Sequence, residues 1–232
     1  MPIFSVIIVT APPFVTGADA SAAFTKLDGR EALLRTVELF LNRDEIKQIQ
    51  LIVPTDLLDE TRRKHGAHLG FSGVQVTGSA PKFSEQIATA ASLLTADCSH
   101  VLVHDAARPC VPYTDIDALI ASAAGKSPIT ALSQPLRGTL LELDEGDNPV
   151  GILPSSHYLN LVMPMLLTRQ KLLELAGAKR EPHASELNLL SGSALNVRIG
   201  SAADGAFAKA MLSMMPKPKS KAATSPFEEA QW

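Results

Sequence analysis

Asp105 and Arg108 sit three residues apart in the heptapeptide Val103-His104-Asp105-Ala106-Ala107-Arg108-Pro109, which continues the apolar run His100-Val101-Leu102-Val103. Such a run reads as a short buried strand. In an open α/β sheet, ligands bind at the carboxyl ends of strands. A carboxylate placed there can ligate a hard divalent cation such as Mg²⁺. Ala106 and Ala107 let a flat ligand approach the backbone. Arg108 offers a planar fork of donors suited to phosphate. The plain alternative for a bare Asp-x-x-Arg is an N-capping Asp followed by a surface Arg. His104 adjoins Asp105, but neighbours on a strand point to opposite faces, so His104 reads as structural.

The elements around this segment alternate. Phe4–Thr10, Ile49–Val53, Val74–Val76, His100–His104 and Pro128–Leu132 read as strands. Helices are expected over Arg30–Leu41, Thr55 to about His65, Ser84–Leu94, Asp115–Ala124 capped by Thr114, Thr168–Ala176 and Ala203–Met214, with a late strand over Ala194–Ile199. Strands alternating with helices predict a mostly parallel sheet covered on both faces, an α/β three-layer Rossmann-like sandwich. One interruption stands out. Thr139–Leu143 and Pro149–Leu153 flank the polar turn Asp144-Glu145-Gly146-Asp147-Asn148 and read as a projecting β-hairpin arm, about 138–156. An isolated hairpin is marginal in water, so the arm needs something to pack on. One domain is expected over 1–215, followed by a disordered tail over 216–232 that carries the single Trp, Trp232.

Composition narrows the function classes. Apolar residues make up 46% of the 232-residue chain, ample for a core, and the net charge of −3 supplies no basic field for nucleic acid or anionic membrane. The apolar runs fall short of the ~20 residues that a membrane span needs. Ile3–Val9 lacks a basic leader and reads as a first strand. With two cysteines, Cys98 and Cys110, and no disulfide framework, the cytoplasm is the expected compartment. The six histidines show no zinc-like spacing with cysteine. Neither a Gly-x-Ser-x-Gly elbow nor a Walker lysine motif occurs.

Val103–Pro109 resembles, residue for residue, the signature of the 2-C-methyl-D-erythritol 4-phosphate cytidylyltransferase family. A relative of that family, ribitol-5-phosphate cytidylyltransferase, usually has a bulkier residue in place of Ala107, so the first family fits better. The general layout is similar from about Ile3 to about Met211. The resemblance implies transfer of a cytidylyl group from CTP to a sugar-alcohol phosphate with release of pyrophosphate. It implies Mg²⁺ held by Asp105, and a homodimer clasped by the arm. It places Ala11, Gly78, Lys82, Asp105 and Ala106 at the nucleotide, Arg108 and Thr139 at the phosphorylated alcohol, and Asp105 with Lys26 at the chemistry.

Several positions depart from the family pattern. The family has Pro-Ala-Ala-Gly-x-Gly-x-Arg-Met-Gly and a later Pro-Lys after strand one; here the loop is Thr10-Ala11-Pro12-Pro13-Phe14-Val15-Thr16-Gly17. Two prolines remove N–H donors that a phosphate cradle uses. No Arg or Lys occurs before Lys26. The family lysine falls near Ala22, so Lys26 serves only if the loop is rearranged; a solvated lysine is the plain reading. Gly78-Ser79-Ala80-Pro81-Lys82 keeps a glycine and a cation, but the following family serine is Glu85. Pro135-Leu136-Arg137-Gly138-Thr139 loses the family Asp and keeps Thr139. The arm's family Arg falls near Ser155, the Thr-Pro-Gln motif near Met163-Pro164-Met165, the late Thr-Asp-Asp/Glu near Pro182-His183-Ala184, and the closing Asn-Ile-Lys near Gly205-Ala206-Phe207 with Lys209 following.

Two functions are therefore weighed. One is a divergent cytidylyltransferase in which Lys82, Lys26 or Lys209 replaces lost cations. The other keeps fold and dimer as a binding or interaction protein without turnover.

Overall fold

The computed structural model describes residues 2–15 and 19–215. Its elements run β1 (Phe4–Val9), β2 (Lys26–Leu27), β3 (Arg30–Glu31), α1 (Ala32–Leu41), β4 (Ile46–Pro54), α2 (Thr55–Phe71), β5 (Val74–Ser79), α3 (Phe83–Ala91), β6 (His100–Asp105), α4 (Tyr113–Ser122), β7 (Ile129–Pro135), β8 (Leu140–Leu143), β9 (Pro149–Leu153), β10 (Leu159–Thr168), α5 (Arg169–Ala178), β11 (Leu187–Ser191) and α6 (Ala202–Met214). Seven strands form one sheet in the order β11-β7-β10-β6-β1-β4-β5. All pairings are parallel except the two made by β10.

The strands alternate their apolar side chains between two faces. Phe4, Val6 and Ile8 of β1 pack with Leu33, Val37 and Phe40 of α1 and Ile116 and Leu119 of α4. Ile7 and Val9 turn the other way, onto Phe83, Ile87 and Ala90 of α3 and Leu172 and Leu175 of α5. Each such fully buried side chain contributes about 1.5–3 kcal/mol. The three-layer α/β sandwich with a mostly parallel sheet is thus the observed fold.

Local differences have local causes. The helix expected from Arg30 starts at Ala32, because Arg30–Glu31 first pairs with Lys26–Leu27 across the Asp28-Gly29 turn. Both turn residues adopt positive φ, 51° and 82°. The helix expected to stop near His65 continues to Phe71, because an interior glycine such as Gly66 costs only about 1 kcal/mol relative to alanine, and Gly73 at φ 71° follows its end. Thr114 does not cap α4; Pro112 holds that position. The strand expected at Ala194–Ile199 is irregular backbone, and β11 precedes it.

The arm forms as expected. β8 and β9 make their own two-stranded antiparallel sheet, with Leu141 opposite Ile152. Leu141, Leu143, Val150 and Ile152 are half or more exposed. The segment 216–232, on which the expected tail and Trp232 fall, lies outside the described residues, as does Gly17. Among the described residues no helix is long and apolar enough to cross a membrane.

Candidate functional site

β1 and β6 run parallel and in register to their carboxyl ends, where Val9 pairs with Asp105. Ala106 N–H donates to the Val9 carbonyl at 2.8 Å, so the two strand ends are stitched together just where the chain turns. Asp105 is fully buried. Its Oδ1 accepts from Ala107 N–H at 2.9 Å, and its Oδ2 accepts from Arg198 Nε at 2.8 Å. Arg108 Nε stands 3.7 Å from the same Oδ2. One buried carboxylate thus faces two guanidinium groups, whose side chains are only 11% (Arg108) and 16% (Arg198) exposed.

The irregular segment before α6 delivers Arg198. Ile199 N–H donates to the Ala107 carbonyl at 2.9 Å, which fixes this stretch beside the signature turn. Asn196 donates through Nδ2 to the Met163 carbonyl at 2.6 Å, and its carbonyl and side-chain oxygens accept from Arg108 Nη1 at 3.2 and 3.4 Å. Burial lowers the pKa of Arg108, with Arg198 adding to the effect and Asp105 opposing it. Ala106 and Ala107 are buried by the chain itself: Ala107 clusters with Leu27, Ile199 and Ala208, and the Ala106 carbonyl accepts from Thr36 Oγ1 at 3.0 Å. His104 is structural. It donates through Nε2 to the Arg108 carbonyl at 3.0 Å and meets Phe40 edge-on, and burial pushes its pKa down to about 3, so it stays neutral.

Three N–H groups in the described part of the loop after β1 donate to side chains of the protein. Gln86, buried on α3, accepts from Thr10 and Ala11 N–H through Oε1 at 3.0 and 3.2 Å and donates back to Thr10 Oγ1 at 2.9 Å. Phe14 N–H donates to Glu181 Oε2 at 3.1 Å, with Phe14 at φ 63°. A left-handed conformation at a bulky residue costs about 1–2 kcal/mol. Side-chain oxygens of the protein therefore take three of the N–H donors that the described loop residues offer to an anion.

The other expected site residues are dispersed. Gly78 lies on β5, two strands from β1, where a Cβ would come within 3.1 Å of Leu58 and 3.3 Å of Thr55; it is a close-packing position beneath α2. Lys82 is exposed at the N-cap of α3, and Glu85 in the first turn pairs with Lys179 at 3.1 Å. Lys26 is exposed on β2. Lys209 pairs with Asp28 at 2.8 Å. Thr139 lies exposed at the foot of the arm. None of the three lysines is paired with Asp105; the cations that are paired with it are Arg198 and Arg108. The sequence signal for Arg198 was available: Asn196-Val197-Arg198 matches the closing Asn-Ile-Lys pattern better than Gly205-Ala206-Phe207 does.

The residues do not fit a protein-held Mg²⁺. Both oxygens of Asp105 are engaged, two guanidinium groups flank it, and among the described residues no group of three His, Cys, Asp or Glu side chains could hold a metal ion. Mg²⁺ requires several oxygen ligands in near-octahedral array.

Residues 6–153 match the family model described as IspD: 2-C-methyl-D-erythritol 4-phosphate cytidylyltransferase. The chain is 28% identical over 211 residues to the Vibrio parahaemolyticus protein of that name, covering 84% of this chain and 89% of that one. It is 29% identical over 124 residues to the Vibrio atlanticus protein of that name, covering 53% of this chain. In the latter case the match spans about half of the relative's length, 52%. In three dimensions it is similar to the 4-diphosphocytidyl-2C-methyl-D-erythritol synthase of Anaerococcus prevotii, with a TM-score of 0.72 at 17% identity, covering 91% of this chain and 99% of that one.

Proposed function

The chain belongs to the 2-C-methyl-D-erythritol 4-phosphate cytidylyltransferase family, and from that premise we propose that it is a divergent cytidylyltransferase acting on CTP and a sugar-alcohol phosphate. In the reaction a substrate phosphate oxygen forms a bond to the α-phosphorus of CTP, the bond from that phosphorus to the pyrophosphoryl oxygen breaks, and pyrophosphate leaves. The protein's part in such a transfer is positioning and neutralisation of charge. The observation that carries the reading is the Asp105–Arg108–Arg198 cluster at the joined ends of β1 and β6, where two guanidinium groups face one carboxylate. Arg108 and Arg198 receive the phosphate of the alcohol, Ala11 and Ala106 border the nucleotide, and Thr139 reaches a substrate bound by a second copy of the chain through the arm. Two free, buried cysteines suit the cytoplasm.

A second reading, a binding protein without turnover, is favoured by the loop. Its Thr10, Ala11 and Phe14 N–H groups are satisfied by Gln86 and Glu181. No Arg or Lys lies within it. Losing one phosphate-stabilising donor typically costs about 10²–10³ in rate. The expected affinity for CTP with Mg²⁺ is accordingly about 1 mM or weaker, checked by calorimetric titration; micromolar binding overturns that expectation. Pyrophosphate release from CTP and methylerythritol phosphate decides between the readings. Slow release that is lost in Arg108→Met supports transfer, and no release at any enzyme concentration supports the binding protein.

A further inference from the structure

We infer that Arg198 is the resident cation of the Asp105 site, so that this chain neutralises a phosphate-bearing ligand there with its own guanidinium group and not with a divalent metal held on Asp105. That the ligand carries phosphate rests on the function proposed above; the exclusion of the metal does not.

Three observations carry it. First, Arg198 Nε lies 2.8 Å from Asp105 Oδ2, and Ala107 N–H donates to Oδ1, so each carboxylate oxygen already accepts a hydrogen bond from the chain. Second, Arg108 stands against the same carboxylate at 3.7 Å. A doubly charged ion entering here meets two largely desolvated positive groups for one negative one, and at short range in a poorly screened site that repulsion is large. Third, the guanidinium donors are not used up. Arg198 Nη2 and Arg108 Nε are buried and lack a hydrogen-bond partner. Buried donors in folded proteins are nearly always paired. An incoming phosphate oxygen supplies the acceptor, and a bidentate approach suits a guanidinium fork.

The other charged groups around Arg198 leave this arrangement intact. Asp204 is held by Ser201 Oγ at 2.8 Å and Gly200 N–H at 3.0 Å, and Asp19 caps the turn at Ser21. Both feel the field of Arg198, which helps those hydrogen bonds hold their carboxyls below the usual range. Neither contacts the guanidinium group among the hydrogen bonds and ion pairs of the described residues. Fixing the cation in the chain also explains the anchoring around it: Asn196 is tied to Met163 and Arg108, and Ile199 to Ala107, so position 198 is aimed at Asp105 from both sides.

The test uses the full chain and two probes. Mn²⁺ binding, followed by electron paramagnetic resonance without nucleotide, is measured for wild type, Arg198→Lys, Arg198→Gln and Asp105→Asn. Wild type and Arg198→Lys are expected to show no site tighter than about 1 mM. Arg198→Gln is expected to gain Mn²⁺ affinity at least about tenfold, a gain that Asp105→Asn added to it removes. A micromolar Mn²⁺ site in wild type that Asp105→Asn abolishes overturns the inference. Because Arg198→Gln can unfold, its melting curve is recorded, and the wild-type and Asp105→Asn comparison stands without it. Inorganic phosphate binding is then titrated in EDTA and in Mg²⁺. Affinities within about threefold of each other support a metal-free anion site; a gain of about tenfold or more with Mg²⁺ overturns it. Metal-free phosphate binding without pyrophosphate release from CTP leaves this inference standing and removes the transfer reading alone.

Discussion

Replacing Asp105 by Ala leaves the guanidinium groups of Arg108 and Arg198 facing each other with no carboxylate between them. Removing one partner from a buried pair typically costs about 3–5 kcal/mol, so urea unfolding of Asp105→Ala is expected to show a loss in that range, and a loss below about 1 kcal/mol contradicts the cluster. His104 gives a second residue-scale expectation. Burial lowers its folded pKa to about 3, against an ordinary value of 6.5. Between those values the unfolded chain binds a proton that the folded chain refuses. The stabilisation is therefore complete above pH 6.5 and is lost as pH falls, by about 1.4 kcal/mol per pH unit. His104→Leu binds no proton there, and denaturation midpoints from pH 7 to 5 should show a shallower acid slope than wild type. At this scale the sequence marked Asp105 and Arg108 as neighbours at a strand end, and read His104 as structural, in keeping with its burial against Phe40. It could not show that Asp105 is consumed by a side chain from near the C-terminal helix, because a long-range pairing leaves no periodic trace. The tripeptide Asn196-Val197-Arg198 is the usable signal, and it lies upstream of the expected Gly205-Ala206-Phe207.

Gln86 shows how an element carries the loop. From the buried face of α3 it satisfies Thr10 N–H, Ala11 N–H and Thr10 Oγ1. Gln86→Ala strands these groups in a buried place, and a loss of about 2–4 kcal/mol is expected in chemical denaturation. Hydrogen exchange should accelerate at Thr10 and Ala11 and stay slow at Val6 to Ile8; unchanged protection at both loop amides argues against the clamp. Elements with a clear period were legible, β1, β6 and α6 to within a residue at each end and β4 as the inner part of a strand that begins three residues earlier, at Ile46. β10 was not. Its run Leu159-Asn160-Leu161-Val162-Met163-Pro164-Met165-Leu166-Leu167-Thr168 is apolar enough for a central strand, but Pro164 argues against one because proline cannot donate to a ladder. The structure resolves this conflict by placing Pro164 at a register shift between Val162 and Met165, where the pairing to β7 skips.

At the scale of the whole molecule, the arm is the feature that the monomer does not account for. Leu141, Leu143, Val150 and Ile152 expose 50–74% of their surface on a hairpin bonded to no other strand. A contiguous apolar strip of this kind marks an interaction surface, and a second copy of the chain is the expected partner, in an isologous dimer. Light scattering at micromolar concentration is expected to give twice the 24.7 kDa chain mass. A monomer contradicts it, and so does a dimer that survives Ile152→Asp with Leu141→Asp. The sheet's wiring has a consequence for how the chain is made. β10 sits between β6 and β7 yet is synthesised after both. On a ribosome, β1, β4, β5 and β6 emerge together and can close on one another, whereas β7 must wait for a strand not yet translated before it has a neighbour toward the centre. The carboxylate at 105 waits longer still, for a counter-ion 93 residues downstream. The cluster at the heart of the site can therefore close only after every strand of the sheet, β11 included, has been translated.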